Sequence, residues 1–243
     1  MKHDRYPDKE TSGILLVDKP SGMTSHDVVD LIRDKFGFAK VGHAGTLDPM
    51  ATGLLVMLIG RATKFQAGFL NDGKVYDADV MLGVSTDSGD AMGVVVGRKH
   101  VDTGEDAVRS AVKKFEGESM QVPPMFSAKK KNGKKLYELA RKGLDVKREP
   151  VKITIGKIEV LGMALPQFTL RVRCSKGTYI RQLAADIGEA LGCGAHLTSL
   201  RRLSSGSFSV ENAVTAGMLE KLDRTAVKKY IAAIPEARGA CPA

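Results

Sequence analysis

Apolar positions in the first sixty residues predict a strand, a helix, a loop and a second strand. The apolar run over 14–17 ends in Lys-Pro-Ser-Gly, which is typical of a strand that enters a tight turn. Thr24 and Asp27 have the spacing of a capping box, and they precede a short amphipathic segment that ends in a glycine. After a glycine-rich loop over 42–53, the unbroken apolar stretch 54–59 predicts a strand buried on both faces.

The rest of the chain mixes strand and helix periodicities. Alternating apolar residues predict strands with one buried face over 74–82, 151–155 and 168–174. We expect Tyr76 on the apolar face of the first of these strands and Lys74 on its polar face. Apolar spacing of 3.6 residues predicts helices over 105–115 and 180–191. Because the elements follow no regular βαβ rhythm, we expect an α+β fold with a mixed, mostly antiparallel central sheet flanked by helices.

The predicted elements fit one domain over residues 13–210. Residues 1–12 are polar and charged, and we expect a flexible leader there. The stretch over about 121–150 opens with Gln-Val-Pro-Pro and carries five lysines within seven residues, so we interpret it as an exposed basic insertion followed by a short helix. Residues 211–243 are expected to form a short, mostly helical C-terminal tail.

The composition indicates a globular protein with a basic surface. The chain has 243 residues, of which 43% are hydrophobic and 27% charged, and its formal net charge is +9. That charge favours a polyanionic partner, but it also serves solubility alone, and both interpretations stay open at this point. No stretch has the roughly 18 consecutive apolar residues of a membrane helix, and the charged N-terminus is not typical of a signal peptide.

Cysteines and histidines indicate neither a disulfide framework nor a metal site. Cys174, Cys193 and Cys241 are scattered and odd in number, which fits a reducing, cytoplasmic setting. The five histidines form no metal-binding signature, and the chain has no glycine-rich phosphate loop. We therefore expect no metal.

The loop Gly42-His43-Ala44-Gly45-Thr46-Leu47-Asp48-Pro49 brings a carboxylate into a glycine-rich setting before a buried strand. An aspartate before a proline commonly caps a turn, and for an isolated Asp-Pro pair that interpretation is favoured. Gly42, Gly45 and Gly53 allow a tight backbone and the close approach of a ligand. Because such a loop can hold a side chain rigidly at a cleft, Asp48 is a candidate catalytic residue.

The same loop resembles the catalytic signature of a known enzyme family. GHAGTLDPMATGLL is similar to the signature of the TruB-type bacterial tRNA pseudouridine synthases, and the resemblance covers most of residues 13–208 in the family's order. The other segments that carry it are GILLVDKPSGMTSHDVV (13–29), KVYDADVMLGVSTDSGD (74–90), QVPPMFSAKKKNGKKLYELARKG (121–143), CSKGTYIRQLAADIG (174–188) and HLTSLRRLSSGSF (196–208). The resemblance implies a pseudouridine-synthase fold, a catalytic domain over 13–210, and a basic segment that matches the family's thumb-like loop.

The resemblance implies that the chain isomerises the T-loop uridine at position 55 of tRNA to pseudouridine. Because the base leaves the sugar through N1 and returns through C5 without a redox step, we expect no cofactor. The family's catalytic aspartate corresponds to Asp48; attack at C6 of the base, attack at C1′ of the sugar and assistance of a glycal route all stay open. The resemblance assigns Tyr76 to stacking on the target base and Arg181 to pairing with the catalytic carboxylate. Without it, a core tyrosine and a solvated cation at a helix start are the favoured interpretations.

The resemblance also implies a set of RNA-binding residues. It assigns substrate binding to His43, Tyr179, Leu200, Lys19, Lys129, Lys130 and Lys131. His43 is expected to meet the T loop, Tyr179 and Leu200 to lie beside the flipped base, and Lys19 to lie near the floor of the site. The three other lysines belong to the thumb-like loop, where phosphate contact is expected. For Leu200 alone, a plain core leucine is the favoured alternative.

The expected partner is tRNA, bound at its T arm as a stem-loop, by a monomer that requires no protein partner. Full-length bacterial relatives carry a C-terminal RNA-binding module of the PUA type, and the residues after Phe208 are too few for a complete one. Two other functions stay open: a non-catalytic RNA-binding module or RNA chaperone on the same fold, and an enzyme that acts on another structured RNA.

Overall fold

The computed structural model describes residues 8–127, 129–131, 133–140 and 142–235. Its strands are β1 (Gly13–Lys19), β2 (Val41–His43), β3 (Thr52–Ile59), β4 (Lys74–Leu82), β5 (Val84–Thr86), β6 (Val95–Arg98), β7 (Gly117–Gln121), β8 (Lys130–Lys131), β9 (Lys134–Lys135), β10 (Val151–Ala164), β11 (Gln167–Cys174), β12 (Ala195–Ser205), β13 (Phe208–Ser209), β14 (Val214–Thr215) and β15 (Ile231–Ala232). Its α-helices are α1 (Ser25–Phe36), α2 (Gln66–Leu70), α3 (Glu105–Lys113), α4 (Leu136–Ala140), α5 (Ile180–Ala190) and α6 (Ala216–Lys221). Three short 3-10 helices lie at Gly60–Phe65, Val210–Asn212 and Ala226–Tyr230.

The chain divides into two compact units. Among the described residues, unit 1 comprises 8–74 and 201–235, and unit 2 comprises 75–200. Strand β12 contains the boundary, since its first six residues belong to unit 2 and its remainder to unit 1. The prediction of a single domain over 13–210 therefore covers most of both units.

The sheet of unit 1 has the strand order β14-β1-β3-β12. Strands β1 and β3 pair antiparallel along their length, from Gly13 opposite Ile59 to Lys19 opposite Gly53. The pairs of β1 with β14 and of β3 with β12 are parallel, so the sheet is mixed. Strands β2 and β15 add antiparallel partners to β3 and β1. The prediction for β3 is confirmed, because all but its first residue are buried, as an unbroken apolar stretch requires.

The order in unit 2 is β12-β4-β11-β10-β7, and β10 is antiparallel to both of its neighbours. Strand β4 alternates between buried and half-buried residues over its whole length, which confirms the predicted one-sided strand. Tyr76 lies on its buried side, as expected. The prediction for Lys74 is wrong: the residue has the same parity as Tyr76 and is buried, and its ammonium donates to the carbonyls of Leu70 and Asp72.

The predicted helices and the fold class are confirmed. Helix α1 begins with the capping box of Thr24 and Asp27 and ends at Gly37, whose φ of 67° lies in the left-handed region. Helices α3 and α5 lie within the predicted ranges. Together with the mixed, mostly antiparallel strand pairs, they make an α+β fold. No helix among the described residues is long and apolar enough to cross a membrane.

The two ends of the described chain differ from the predictions. Residues 1–7 lie outside it, but the predicted flexible leader does not extend over 8–12. Asp8 bridges to Phe38, accepts hydrogen bonds from Thr11 and forms an ion pair with Lys228 at 2.7 Å. Because both its backbone and its side chain are bound, this segment belongs to unit 1.

The C-terminal segment is also part of unit 1. The mostly helical tail predicted over 211–243 contains, as far as residue 235, two strands that pair with β1 on the side away from β3. Leu219 on α6 and Val227 in the last 3-10 helix are buried. The predicted helical character is confirmed by α6 and by the 3-10 helix Ala226–Tyr230. The segment is not a separate tail, however, because β14 and β15 pair with β1 and extend the sheet of unit 1.

Candidate active site

The loop that carries Asp48 joins β2 to β3 in unit 1, and its main chain is fixed on both sides of the aspartate. The hydroxyl of Ser25 accepts a hydrogen bond from the Leu47 amide at 2.8 Å and donates to the Leu47 carbonyl at 3.2 Å. The Asp48 carbonyl accepts from the amide of Ala51 at 3.0 Å, and the Pro49 carbonyl accepts from the amide of Gly22 at 2.8 Å. Asp48 itself is half-buried. Its carboxylate extends from a loop whose backbone is held by these hydrogen bonds.

Lys19 lies fully buried at the end of β1, where it supports this loop. Its ammonium donates to the carbonyls of Pro20 at 2.8 Å, Met23 at 2.7 Å and Pro49 at 3.2 Å. Burial lowers the pKa of Lys19 to about 8, although the negative charge of Asp48 acts in the opposite direction. The assignment of Lys19 to the floor of the site agrees with this position, and its role toward substrate stays a prediction.

Arg202 on β12 is a second buried cation beside the loop, and sequence reasoning missed it. Its Nε donates to the Leu54 carbonyl at 2.7 Å, its Nη2 to the Gly45 carbonyl at 3.1 Å and its Nη1 to the Thr46 carbonyl at 3.5 Å. The available signal was its parity, because Arg202 has the same position in the strand alternation as the buried Leu200.

Gly53 is required by the close approach of β12 to β3. Its φ is +97°, and a Cβ at this position would lie 2.3 Å from the carbonyl oxygen of Arg202. No side chain fits in that space. The glycine that sequence analysis assigned to ligand approach therefore serves contact with another strand.

His43 ends β2 and is half-buried. Burial lowers the pKa of its imidazole, and the positive charges of Arg202 and His26 lower it further. The ring is therefore neutral at pH 7. A neutral imidazole can donate and accept hydrogen bonds to RNA but cannot neutralise a phosphate, which agrees with the expected contact to the T loop.

Arg181 lies in unit 2, in the first turn of α5, and is only 3% exposed. Its guanidinium donates to the carbonyls of Ser88 and Phe126, both at 2.7 Å, and its Nε lies 3.6 Å from the carboxylate of Asp90. These contacts exclude the solvated cation that was the alternative interpretation. The pairing of Arg181 with the Asp48 carboxylate stays a prediction.

Asp90 was not found from the sequence, although it stands in the segment Ser85-Thr86-Asp87-Ser88-Gly89-Asp90. Its buried carboxylate accepts from the Ser88 hydroxyl at 2.6 Å and from the Met92 amide at 3.0 Å. A buried ion pair with Arg181 is costly unless its remaining hydrogen-bonding groups are satisfied, and these contacts satisfy them.

The other candidate residues of unit 2 lie on three different elements. Tyr76 on β4 is 9% exposed and Leu200 on β12 is 6% exposed, so the core interpretation of each is compatible with its burial. Tyr179 is the half-buried residue before α5, and the side-chain amide of Gln121 binds its main-chain N–H at 2.8 Å and its carbonyl at 3.1 Å. This double contact fixes the backbone from which both Tyr179 and α5 extend.

The candidate lysines of the basic insertion form a small hairpin. Lys130 and Lys131 make up β8, which pairs antiparallel with β9, and Lys129 before it is exposed. The short helix expected after these lysines is α4. The described residues contain no group of three or more His, Cys, Asp or Glu side chains arranged to hold a metal ion.

Comparison with known proteins confirms the resemblance found in the sequence. The model of the TruB family pseudouridylate synthase N-terminal domain matches residues 33–180, and that of the tRNA pseudouridylate synthase B C-terminal domain matches residues 181–235. The chain is 54% identical over 215 residues to tRNA pseudouridine synthase B of Dechloromonas aromatica (strain RCB), covering 88% of this chain and 72% of that relative. It is 49% identical over 216 residues to the enzyme of the same name from Azoarcus sp. (strain BH72), covering 89% and 72%.

Solved structures extend the likeness to the fold. A chain of a Cbf5-Nop10-Gar1 complex superposes with a TM-score of 0.71 at 32% identity, covering 91% of this chain and 60% of that one. A chain of an archaeal box H/ACA sRNP Nop10-Cbf5 complex superposes with a TM-score of 0.66 at 30% identity, covering 90% and 58%. This chain thus spans about 60% of the length of the structures it matches. On the family matches and the identity to its relatives, it belongs to the TruB family of pseudouridylate synthases.

Proposed function

We propose that the chain converts the uridine at position 55 in the T loop of tRNA to pseudouridine, with Asp48 as the nucleophile and the target base flipped out of the RNA. Family membership supports the reaction class, and the names of the relatives support tRNA as substrate. The observation that carries the assignment of Asp48 is its position on a loop whose main chain is bound on both sides of the carboxylate.

The reaction conserves every atom of the nucleotide. The C1′–N1 bond breaks, the uracil rotates, and a C1′–C5 bond forms; C5 loses its proton and N1 gains one. A carboxylate can attack the base at C6, attack the sugar at C1′, or assist a glycal route, and each route leaves Asp48 free at the end. Because substrate and product differ only in connectivity, the chemistry requires no cofactor.

Binding of an extruded base gives the candidate residues of unit 2 their roles. Flipping a nucleotide costs a few kcal/mol, and stacking on an aromatic side chain returns about 1–3 kcal/mol per base. We assign stacking to Tyr76, apolar contact with the base to Leu200, and contact with the flipped nucleotide to Tyr179. Arg181 is the proposed cation for the catalytic carboxylate.

The RNA outside the flipped nucleotide requires further contacts. His43, neutral at pH 7, is assigned to the T loop, and the lysines of the β8–β9 hairpin to phosphates of the T arm. The net charge of +9 suits this polyanionic partner. We propose that the protein acts on tRNA as a monomer in the cytoplasm.

The substitution Asp48→Asn tests the proposal, because it removes the charge and nucleophilicity of the side chain at almost constant volume. We expect the variant to bind a T-arm stem-loop with a dissociation constant within about threefold of wild type and to form no detectable pseudouridine, since only the chemical step is lost. Because uridine and pseudouridine have the same mass, the treated RNA is labelled with a pseudouridine-selective carbodiimide, and the mass shift of the label measures the product. Asp34→Asn is the matched control, because Asp34 is an exposed aspartate on α1.

The outcomes separate the competing functions. Wild-type product from Asp48→Asn would overturn the assignment of this residue. Tight RNA binding without product from the wild-type protein would favour an RNA-binding module or chaperone. If pseudouridine forms in another structured RNA but not in the T arm, the protein is a pseudouridine synthase with a different substrate.

A further inference from the structure

Arg202 connects the two ends of the Asp48 loop. Two of the carbonyls that accept from it, those of Gly45 and Thr46, precede Asp48 by three and two residues, whereas the Leu54 carbonyl lies in β3 after the loop. One guanidinium, 1% exposed, therefore spans the loop from one side to the other. All of the hydrogen bonds described for it go to main-chain carbonyl oxygens.

The backbone of Arg202 is fixed as closely as its side chain. It pairs with Gly53 in the short parallel ladder of β12 with β3, and there the lack of a Cβ at Gly53 allows the strands to approach. A Cβ on Gly45 would lie 3.4 Å from Nη1 of Arg202, in a residue whose φ of +98° favours glycine. Two of the three glycines noted in the sequence of this loop thus border the same arginine.

Stability is a weak reason to bury such a cation. Taking a guanidinium out of water is unfavourable, and carbonyl dipoles compensate for this only partly. A planar group that donates in several fixed directions can, however, hold separate carbonyls in one arrangement, which a single ammonium cannot do. The positive charge also acts on the neighbouring groups, because it contributes to the lowered pKa values of both Lys19 and His43.

We propose that Arg202 is a positioning residue for catalysis, whose forked guanidinium fixes the two ends of the Asp48 loop so that the carboxylate is presented in one orientation. This inference rests on the proposed function, in which Asp48 carries the chemistry. Arg202 touches the loop rather than the substrate. Its loss should therefore lower kcat and leave substrate binding nearly unchanged.

The substitution Arg202→Lys tests this role, because it keeps the charge and removes the fork. We expect kcat on a T-arm stem-loop to fall about 100-fold, as misplacement of a reacting group by about 1 Å does, with KM within about threefold of wild type. Arg201→Lys is the matched control: Arg201 is the neighbouring arginine, part-exposed and paired with Asp18 through its two Nη atoms. Its kcat should stay within about threefold of wild type.

Titration of His43 by NMR separates charge from geometry. Arg202→Lys should leave the His43 pKa near its wild-type value while kcat falls, whereas Arg202→Met should raise that pKa and lower kcat as well. Folding of both variants is checked by circular dichroism and urea unfolding. Wild-type kcat in a folded Arg202→Lys or Arg202→Met variant would overturn the proposal, as would a rise in KM at constant kcat.

A measurement on the wild-type protein decides the case in which neither variant folds. Nitrogen-15 NMR of the arginine side chains should find the Arg202 Nε–H protected from solvent exchange, with resolved Nη signals that indicate a guanidinium fixed in rotation. Exchange at the rate of a free arginine would overturn the proposal. Failure of the proposed function can be distinguished from failure of the Arg202 proposal, because in the first case the wild-type protein forms no pseudouridine, whatever the state of Arg202.

Discussion

Three buried cations, two of them candidate site residues, have hydrogen-bond donors that are accepted by main-chain carbonyls. Lys19 and Arg202 in unit 1 and Arg181 in unit 2 each donate to two or more main-chain carbonyls. Each would be costly to bury alone. For Lys19 and Arg202 the hydrogen-bond acceptors described are carbonyls, which satisfy the donors without neutralising the charge, whereas Arg181 also forms an ion pair with Asp90.

The lowered pKa of Lys19 predicts a pH dependence of stability. Its pKa is about 8 in the folded protein, below the ordinary value of 10.5, because burial disfavours the charged form. Between these pH values the unfolded chain binds more protons than the folded one, so the free energy of unfolding should rise with pH through this window. Fully realised, the shift corresponds to roughly 3 kcal/mol.

Urea unfolding of wild type and Lys19→Met at pH 7, 8, 9 and 10 measures this effect. The difference in unfolding free energy, wild type minus variant, should increase by about 2–3 kcal/mol from pH 7 to pH 10. Lys64→Met, at an exposed position, controls for the loss of a lysine. A constant difference between wild type and Lys19→Met over this range would mean that the buried amine is not destabilised by its charge.

At the scale of elements, the Asp48 loop depends on strands and helices that come from distant parts of the chain. Helix α1 supplies Ser25, the end of β1 supplies Lys19, and β12 supplies Arg202. The loop has little regular structure of its own, so these contacts determine its conformation. Such a loop can be conformationally defined without belonging to a helix or strand.

The C-terminal elements of unit 1 should contribute to stability as core elements do. Leu219 on α6 is buried, so Leu219→Ala should lower the free energy of unfolding by about 2–5 kcal/mol. Its neighbour Met218 is 37% exposed, and Met218→Ala should change it by less than about 0.5 kcal/mol. Urea unfolding measures both. Equal, small effects would mean that α6 is only loosely attached to the rest of unit 1.

At the scale of the whole molecule, the excess of positive charge and the lysine hairpin predict how RNA binding depends on salt. The backbone ladder pairs Lys130 with Lys135 and Lys131 with Lys134, so four lysines occupy two successive ladder pairs, and the exposed Lys129 precedes them. Each phosphate contact contributes about 0.7–0.9 to the slope of log K against log salt concentration.

We expect substitution of Lys129, Lys130, Lys131, Lys134 and Lys135 together by glutamine to weaken binding of a T-arm stem-loop and to flatten the salt dependence of that binding. If three or more of them contact phosphates, the slope should fall by about 2 or more. Five exposed lysines outside the insertion form the control set: Lys113, Lys114, Lys152, Lys157 and Lys229. If the slope of log K against log salt concentration falls equally in both sets, the hairpin lysines contribute only to the net positive charge and make no specific phosphate contacts.

The sequence alone determined the elements and the family. Unbroken apolar runs located β1 and β3, and periodic apolar positions located β4, β11, the start of β10 and the helices α1, α3 and α5, because burial of one face repeats every two or 3.6 residues whatever the partner is. Strands β7 and β12 were not predicted. The capping box of α1 could also be predicted, because its two side chains bond within one turn. Asp48 and the family assignment followed from motifs that are contiguous in the chain.

Only the tertiary structure decided which distant residues meet. Arg202 binds carbonyls 148–157 positions earlier in the chain, Arg181 binds Ser88 across 93 positions, and β1 receives its outer partners from the C-terminal segment. Local patterns report whether a residue is buried but not against what, so a buried arginine in an alternating strand gives no sign of its acceptors. The candidate carboxylate, Asp48, could thus be located from sequence, whereas the groups that hold its loop depend on packing between segments far apart in the chain.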